Sequence, residues 1–189
     1  MQPGFWSRLT DNPLADFRIF KLKEDLWASP NRDYKQNFIS IEAPDWVNVV
    51  ALTQDHQFIC VKQWRAGTNT IELEVPGGMI DTRDSSPISA GVRELLEETG
   101  YRGEKATIIG KIFPNPAIQN NICHTVFVSG CRKVSETRFD PGEEIVTELI
   151  PEKDLEQRLK EGAFQHALVA VAFQHYLLNK GCVSFNPEK

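Results

Sequence analysis

The sequence predicts an α/β/α sandwich, a mixed central sheet with one helix packed on each side, preceded by a β-rich extension. Three observations carry that prediction. Five strand-like apolar runs, at residues 17–23, 37–41, 47–53, 58–64 and 71–75, come before any helical pattern. A helix with its own start and stop residues follows at about 87–99. Three more strand-like runs, at 106–113, 123–129 and 144–150, lead into helical segments at about 152–160 and 164–178.

The first two runs fall in residues 1–45, read as an N-terminal β extension ahead of a main domain at 46–189. Phe5, Trp6, Trp27 and Tyr34 give that extension more aromatic surface than a free tail tolerates, so they are expected to be buried against the core or a second subunit. In the main domain the runs alternate or cluster apolar residues as strands do. At the helix, Ser86 can cap the orphan amides, Pro87 suits the first helical position, and Gly100 can take the left-handed conformation that ends it. Ile88, Val92, Leu95 and Leu96 form its expected core-facing stripe. Gly91 inside the helix costs about 1 kcal/mol relative to Ala, a loss usually offset by close packing of another element. In the last helix, Ala167, Val171, Phe173 and Leu177 or Leu178 form the expected buried stripe. The chain contains no internal repeat and no low-complexity tract.

The chemistry lies in Arg93-Glu94-Leu95-Leu96-Glu97-Glu98-Thr99-Gly100. Glu94, Glu97 and Glu98 stand at i, i+3 and i+4 and share one helix face. Like charges at this spacing repel, so a cation is expected among them. Carboxylate oxygens are hard ligands that suit Mg²⁺ or Mn²⁺ better than zinc or copper. An isolated run of this kind is commonly a solvated face, because Glu is a good helix former. The preceding Val75-Pro76-Gly77-Gly78-Met79-Ile80-Asp81 argues for a site, since Gly77 and Gly78 let the backbone approach a ligand closely.

Composition narrows the setting. With 189 residues, 41% hydrophobic and 25% charged, the chain can build one globular domain with a substantial core. No apolar run approaches the roughly 20 residues that span a bilayer. Met-Gln-Pro-Gly-Phe-Trp at the N-terminus has neither a basic leader nor an apolar segment, so secretion is not expected. Cys60, Cys123, Cys131 and Cys182 are scattered without CxxC pairs, as reduced thiols of a cytoplasmic protein would be. A formal charge of −5 argues against a nucleic-acid-binding surface.

Gly78-Met-Ile-Asp-Thr-Arg-Asp84 followed by Arg93-Glu-Leu-Leu-Glu-Glu-Thr-Gly-Tyr101 resembles the Nudix box, G-x5-E-x7-R-E-U-x-E-E-x-G-U with U apolar. Tyr101 stands where an aliphatic residue is usual. Asp84 replaces the usual Glu, and eight residues instead of seven separate it from Arg93, which reads as a longer loop before the helix. So long a spaced pattern is specific. Val61-Lys62-Gln63-Trp64-Arg65, then Glu72-Leu73-Glu74-Val75-Pro76-Gly77-Gly78, and Pro116 in its loop resemble the ADP-ribose pyrophosphatase-like branch of that family. One departure is the Pro114–Asn121 loop, which lacks the acidic residue that many ADP-ribose enzymes carry there, so other nucleoside diphosphate sugars become credible substrates.

The resemblance implies metal-dependent hydrolysis of the pyrophosphate bond of a nucleoside diphosphate sugar, giving a nucleoside monophosphate and a sugar phosphate. It implies Mg²⁺, with Mn²⁺ able to substitute, held by Glu94, Glu97 and Glu98 with the Gly77 carbonyl as a further ligand. Arg93 would orient a glutamate, with Glu74 or Glu97 as candidate partners, or form a simple i,i+4 pair with Glu97. In this branch the general base comes from a loop after the box, which points to Glu143, with Glu144 as its neighbour in the Asp140-Pro141-Gly142 turn. The branch also implies a homodimer built through the N-terminal sheet. For the substrate, Trp46 could stack on a base or simply occupy a strand edge. Arg65 could meet a phosphate or pair with a nearby acid. Asn115 and Asn120 could bind sugar hydroxyls or serve turn chemistry. Two other readings stand beside this one: a Nudix hydrolase of dinucleoside polyphosphates or oxidised nucleotides, and a non-catalytic nucleotide-sugar sensor.

Overall fold

The N-terminal residues form a four-stranded antiparallel sheet of β1 (Ser7–Arg8), β2 (Pro13–Asp16), β3 (Lys21–Ala28) and β4 (Lys35–Glu42). β4 pairs with β3 along its whole length, from Lys21 opposite Glu42 to Ala28 opposite Lys35, while β1 and β2 pair with the two ends of β3. The strand expected at 17–23 is displaced. Residues 17–20 form the turn between β2 and β3, where Arg18 takes a positive φ of 66° and Phe17 N–H donates to the Phe20 carbonyl at 2.9 Å. Of the four aromatics expected to be buried, Trp6 and Trp27 are half-buried, whereas Phe5 and Tyr34 are exposed. Trp6 packs edge-on against Phe38, with centroids 5.3 Å apart, and against Tyr34.

The remaining elements are β5 (Trp46–Thr53), β6 (Gln57–Arg65), β7 (Thr70–Glu74), β8 (Gly77–Met79), α1 (Pro87–Thr99), β9 (Tyr101–Arg102), β10 (Lys105–Ile112), β11 (Cys123–Lys133), β12 (Ile145–Pro151), a 3-10 turn at Glu152–Asp154, α2 (Leu155–Lys160) and α3 (Ala167–Asn179). The computed structural model describes residues 3–139, 142 and 144–180. They fall into two units, Met1–Asp45 with Phe113–Ile122 and Trp46–Ile112 with Cys123–Lys189. In the second, the strand order is β10-β11-β5-β6-β12, with β7 on β6, β8 on β5 and β9 on β11. β5 and β11 run parallel and the other pairs antiparallel, so the sheet is mixed as the sequence predicts.

Alternation along β5 separates two cores. Val47, Val49 and Ala51 pack with Ala90, Leu95 and Val126 under α1. Val50 and Leu52 pack with Phe58, Phe127, Phe173 and Tyr176 under α3. α1 is capped as expected: Ser86 Oγ accepts from Ser89 N, and Gly100 ends the helix at φ 74°. Its buried stripe differs from the expected one. Ala90, Gly91, Leu95, Glu98 and Thr99 are buried while Ile88, Val92 and Leu96 are half-buried. The reason is Gly91, where an added Cβ would lie 3.1 Å from Val49 Cγ2 and 3.2 Å from Val47 Cγ2, so this side of the helix meets the sheet most closely. In α3 the buried residues are Val169, Ala172, Phe173 and Tyr176, and Leu178 is exposed. No helix among the described residues is long and apolar enough to cross a membrane.

β5 has a forked edge. Its C-terminal half pairs with β6, through Ala51 opposite Ile59 and Leu52 opposite Phe58. Its N-terminal half pairs instead with β8, through Trp46 opposite Met79, Val47 opposite Gly78 and Asn48 opposite Gly77. Val49 N–H donates to the Pro76 carbonyl at 2.8 Å where the two pairings part. The fork brings the Gly-Gly turn to the carboxylate face of α1.

Candidate active site

Gly77 and Gly78 are glycines because of what lies against them. A Cβ on Gly77 would sit 2.2 Å from the Val47 carbonyl oxygen, and one on Gly78 would sit 2.6 Å from Glu94 Oε1. Both distances are below any ordinary van der Waals contact. Gly77 N–H donates to Glu98 Oε2 at 3.2 Å, and Glu98 is only 5% exposed although it carries a carboxylate.

Arg93 reaches two of the three glutamates. Its Nη1 donates to Glu94 Oε1 at 2.9 Å and to Glu97 Oε2 at 3.0 Å. Its other edge holds Asp84 bidentately, Nη2 to Oδ2 at 2.8 Å and Nε to Oδ1 at 3.1 Å, and Nη2 also donates to the Met79 carbonyl at 3.3 Å. One planar fork thus joins the loop before the helix, the Gly turn and two helix carboxylates. The Asp84 carboxylate, 4% exposed, is held below its ordinary pKa by the Arg93 guanidinium, and Asp84 in turn holds Arg93 firmly protonated.

Two pairings differ from expectation. Glu74 is not a partner of Arg93. It is buried and accepts from Arg65, Nε to Oε1 at 2.7 Å and Nη2 to Oε2 at 2.8 Å. In the antiparallel β6–β7 ladder Arg65 stands opposite Thr70 and Glu74 opposite Val61, so the two share one sheet face and the long Arg65 side chain runs along it to Glu74. Asp84, to which the sequence assigned no role, is the strongest partner of Arg93. Its position in the box was the available signal, but the extra residue before the helix obscured it.

The other expected site residues are distributed as follows. Trp46 begins β5, half-buried, opposite Met79 on one side and Cys123 on the other. Asn115 and Asn120 belong to the first unit with β4, not to the unit that carries α1. Asn120 Oδ1 accepts from Ala43 N at 3.2 Å, so this side chain fastens its own loop, while Asn115 is exposed and its carbonyl accepts from Gln119 N at 2.7 Å. Glu144 is exposed just before β12, and Glu143 lies outside the described residues. The structure therefore assembles Gly77, Asp84, Arg93, Glu94, Glu97 and Glu98 in one place. Arg65 stands with Glu74, and the two asparagines stand in the other unit.

The chemistry of the donor set, three carboxylates beside a turn with exposed peptide groups, fits a hard divalent cation. Two of them, Glu94 and Glu97, are closed on Arg93, and Glu98 accepts from Gly77 N–H. Among the described residues, no group of three or more carboxylate, imidazole or thiol side chains is placed to hold a metal as it stands. With Glu97 35% exposed, a change of side-chain torsions there opens the set without moving the backbone.

Comparison with known proteins supports the same reading. The chain is 32% identical over 157 residues to an ADP-ribose pyrophosphatase of Bacillus subtilis, covering 80% of this chain and 83% of that protein. It is 36% identical over 137 residues to an ADP-sugar pyrophosphatase of Mus musculus, covering 69% of this chain and 62% of that one. A solved structure titled as an ADP compounds hydrolase superposes with a TM-score of 0.83 at 21% identity, covering 97% of this chain and 98% of its own, which shows a shared fold. Members of the family generally use divalent metals. Given the glycine turn, the Arg93 fork, the glutamate helix and a match of residues 44–171 to the NUDIX domain model, the chain belongs to the NUDIX family.

Proposed function

We propose that this Nudix hydrolase cleaves the pyrophosphate bond of nucleoside diphosphate sugars, ADP-ribose and GDP-mannose-like compounds among them, to a nucleoside monophosphate and a sugar phosphate. The observation that carries the reading is the assembly of Asp84, Arg93, Glu94, Glu97 and Glu98 against Gly77 and Gly78. The names of the B. subtilis and mouse relatives point to the same substrate class.

Glu94, Glu97 and Glu98, with the Gly77 carbonyl, are the groups that would hold Mg²⁺ or, in its place, Mn²⁺. A bound cation of this type supplies charge neutralisation at the pyrophosphate and a more acidic water. Arg93, anchored by Asp84, sets the torsions of Glu94 and Glu97. Arg65, fixed by Glu74, presents a guanidinium to a phosphate oxygen. Trp46 offers an aromatic surface to the base. With Asn120 spent on its own loop, Asn115 is the amide left for a sugar hydroxyl. Glu143 or Glu144 accepts the proton of the attacking water. The enzyme works as a cytoplasmic homodimer with residues 1–45 as the dimerisation element. Exposed Leu9, Leu14, Phe17 and Ile39 on that element, and the buried thiols of Cys60, Cys123 and Cys131, support this.

The test is turnover of ADP-ribose, ADP-glucose, GDP-mannose and UDP-glucose with Mg²⁺, each with products identified by chromatography. Cleavage of at least one to a nucleoside monophosphate and a sugar phosphate is expected. Glu98→Gln keeps an acceptor for Gly77 N–H but removes the charge, so turnover should vanish while the melting temperature stays within a few degrees. Cleavage only of dinucleoside polyphosphates or oxidised nucleotides, or binding without turnover, would replace this reading.

A further inference from the structure

β6 and β7 present a row of polar side chains on the sheet face that carries α1. Ile59 packs into the core under that helix, so Val61, Gln63 and Arg65 share its face with period two. The ladder sets Thr70 opposite Arg65, Glu72 opposite Gln63 and Glu74 opposite Val61, which puts these three on the same face. Glu74 spends both carboxylate oxygens on Arg65. Glu72 is matched on one oxygen only. Its Oε1 accepts from the Thr70 hydroxyl and, at 3.2 Å, from the Thr68 hydroxyl, while Oε2 has no hydrogen-bond partner among the described residues. Glu72 as a whole is 8% exposed, yet Oε2 is not one of the buried unpartnered atoms, so solvent reaches it.

We propose that Glu72 is a sugar-reading residue, whose Oε2 accepts a hydroxyl of the sugar esterified to the phosphate that Arg65 meets. The proposal rests on the phosphate role given to Arg65 above and supplies the contact beside it.

The chemistry of the missing partner follows from what surrounds Oε2. A carboxylate buried this far costs free energy unless its oxygens are matched, and the two threonine hydroxyls match only one of them. The Arg65 side chain runs from the Thr70 row to Glu74 and so crosses the row of Gln63 and Glu72, where a second cation at Oε2 would meet its positive charge. The missing donor is therefore uncharged. In a nucleoside diphosphate sugar the uncharged donors nearest the phosphates are sugar hydroxyls, because the amino group of a base lies a whole ribose further away. Neighbouring strands stand about 4.8 Å apart, so a phosphate on the open side of Arg65 brings a hydroxyl of its own sugar within reach of Glu72. A carboxylate reads a ribose hydroxyl in the same way in dinucleotide-binding folds.

Thr68 and Thr70 orient that oxygen in advance. With Oε1 anchored, the carboxylate cannot turn Oε2 away without breaking both bonds, so little ordering is left to do when a ligand arrives. Glu72, Arg65 and α1 belong to one unit, whereas Asn115 belongs to the other. The consequence is selectivity: an acceptor built for a hydroxyl discriminates against a phosphate that carries none, because the acceptor is then left unmatched.

Calorimetric titration with Mg²⁺ and three ligands that carry no pyrophosphate bond, ribose 5-phosphate, AMP and inorganic phosphate, tests the proposal. Glu72→Gln keeps an Oε1 for the two threonines and sets an amide donor where Oε2 accepts, so circular dichroism should show an intact fold. The wild-type chain should bind at least one of the two sugar phosphates more tightly than inorganic phosphate. Glu72→Gln should weaken that ligand by about tenfold or more and leave inorganic phosphate unchanged. Weakening of ribose 5-phosphate assigns the hydroxyl to the terminal sugar, and weakening of AMP assigns it to the nucleoside. Thr70→Val, which loosens Oε1 without touching the charge, should give a smaller loss for the same ligand. Sugar phosphates bound no better than inorganic phosphate by the wild type, unchanged affinities in Glu72→Gln, or an equal loss for inorganic phosphate would each overturn the proposal. The expected pattern in a chain that cleaves no nucleotide sugar would overturn the hydrolase reading and leave this one standing, because the readout is binding and not turnover.

Discussion

Replacing each of the two adjacent glycines by alanine should separate the scaffold of the site from its chemistry. At Gly77 the new Cβ meets backbone, 2.2 Å from the Val47 carbonyl oxygen. Relief to an ordinary contact needs a shift of about 1 Å between β5 and β8, because a carbonyl in a ladder cannot rotate away. That shift loosens the pairing of residues 46–48 with 77–79, the bond from Val49 N–H to the Pro76 carbonyl and the bond from Gly77 N–H to Glu98. Losing two to four hydrogen bonds at about 1 kcal/mol each makes Gly77→Ala destabilising by about 2–4 kcal/mol. In a chain of this size that is a fall in melting temperature of about 4–16 °C. At Gly78 the Cβ meets only the end of a flexible side chain, Glu94 Oε1 at 2.6 Å and Cδ at 2.8 Å. Glu94 can rotate, at about 0.5–1.5 kcal/mol for an off-rotamer torsion. Gly78→Ala should therefore melt within a few degrees of wild type, yet lose about 100-fold in turnover, because the displaced carboxylate leaves Arg93 and the metal position. Thermal unfolding and steady-state turnover of both variants measure this. Equal melting points for the two, or full turnover by Gly78→Ala, would refute the reasoning.

Asp84→Asn keeps the shape but removes the charge that anchors Arg93, so turnover should fall and stability at pH 7 should drop by about 1–2 kcal/mol, read from urea unfolding. The Arg93 guanidinium holds the Asp84 carboxyl below its ordinary pKa, so its stabilisation is complete above that ordinary value and is lost as pH falls through the folded one. The difference between wild type and Asp84→Asn should accordingly shrink in acid. On the other side of the sheet, burial lowers the pKa of His175, whose Nδ1 lies 2.9 Å from Thr125 Oγ1. The unfolded chain then takes up this proton first, so stability should be full above the ordinary histidine pKa and decline as pH falls below it. The His175 ring also lies 2.3–2.4 Å from where a Cβ on Gly110 would be. Gly110→Ala should displace the ring, return its NMR titration toward the ordinary histidine value and destabilise the fold.

Local geometry made much of this chain legible in advance. The bounds of α1 follow from Ser86, Pro87 and Gly100, whose preferences are set within a few residues. The two-sided burial of β5 follows from a near-continuous run of apolar residues, which presents apolar side chains to both faces of the sheet. α3 is apolar on most sides in its first turns, so spacing alone did not select Val169, Ala172, Phe173 and Tyr176 as the buried set. At residues 17–20 the aromatic and β-branched side chains suggested a strand, but the chain must turn there for β2 to meet β3.

The sequence by itself determined the donor set: three carboxylates on one helix face and a guanidinium beside them, fixed by spacing along the chain. Only the tertiary structure decided how those groups pair. Arg93 binds Asp84 as well as Glu94 and Glu97, Glu74 is taken by Arg65, and residues 113–122 join the N-terminal unit. Helix spacing is a property of consecutive residues, whereas an ion pair depends on the distance between segments that only strand register and the fork in β5 bring together.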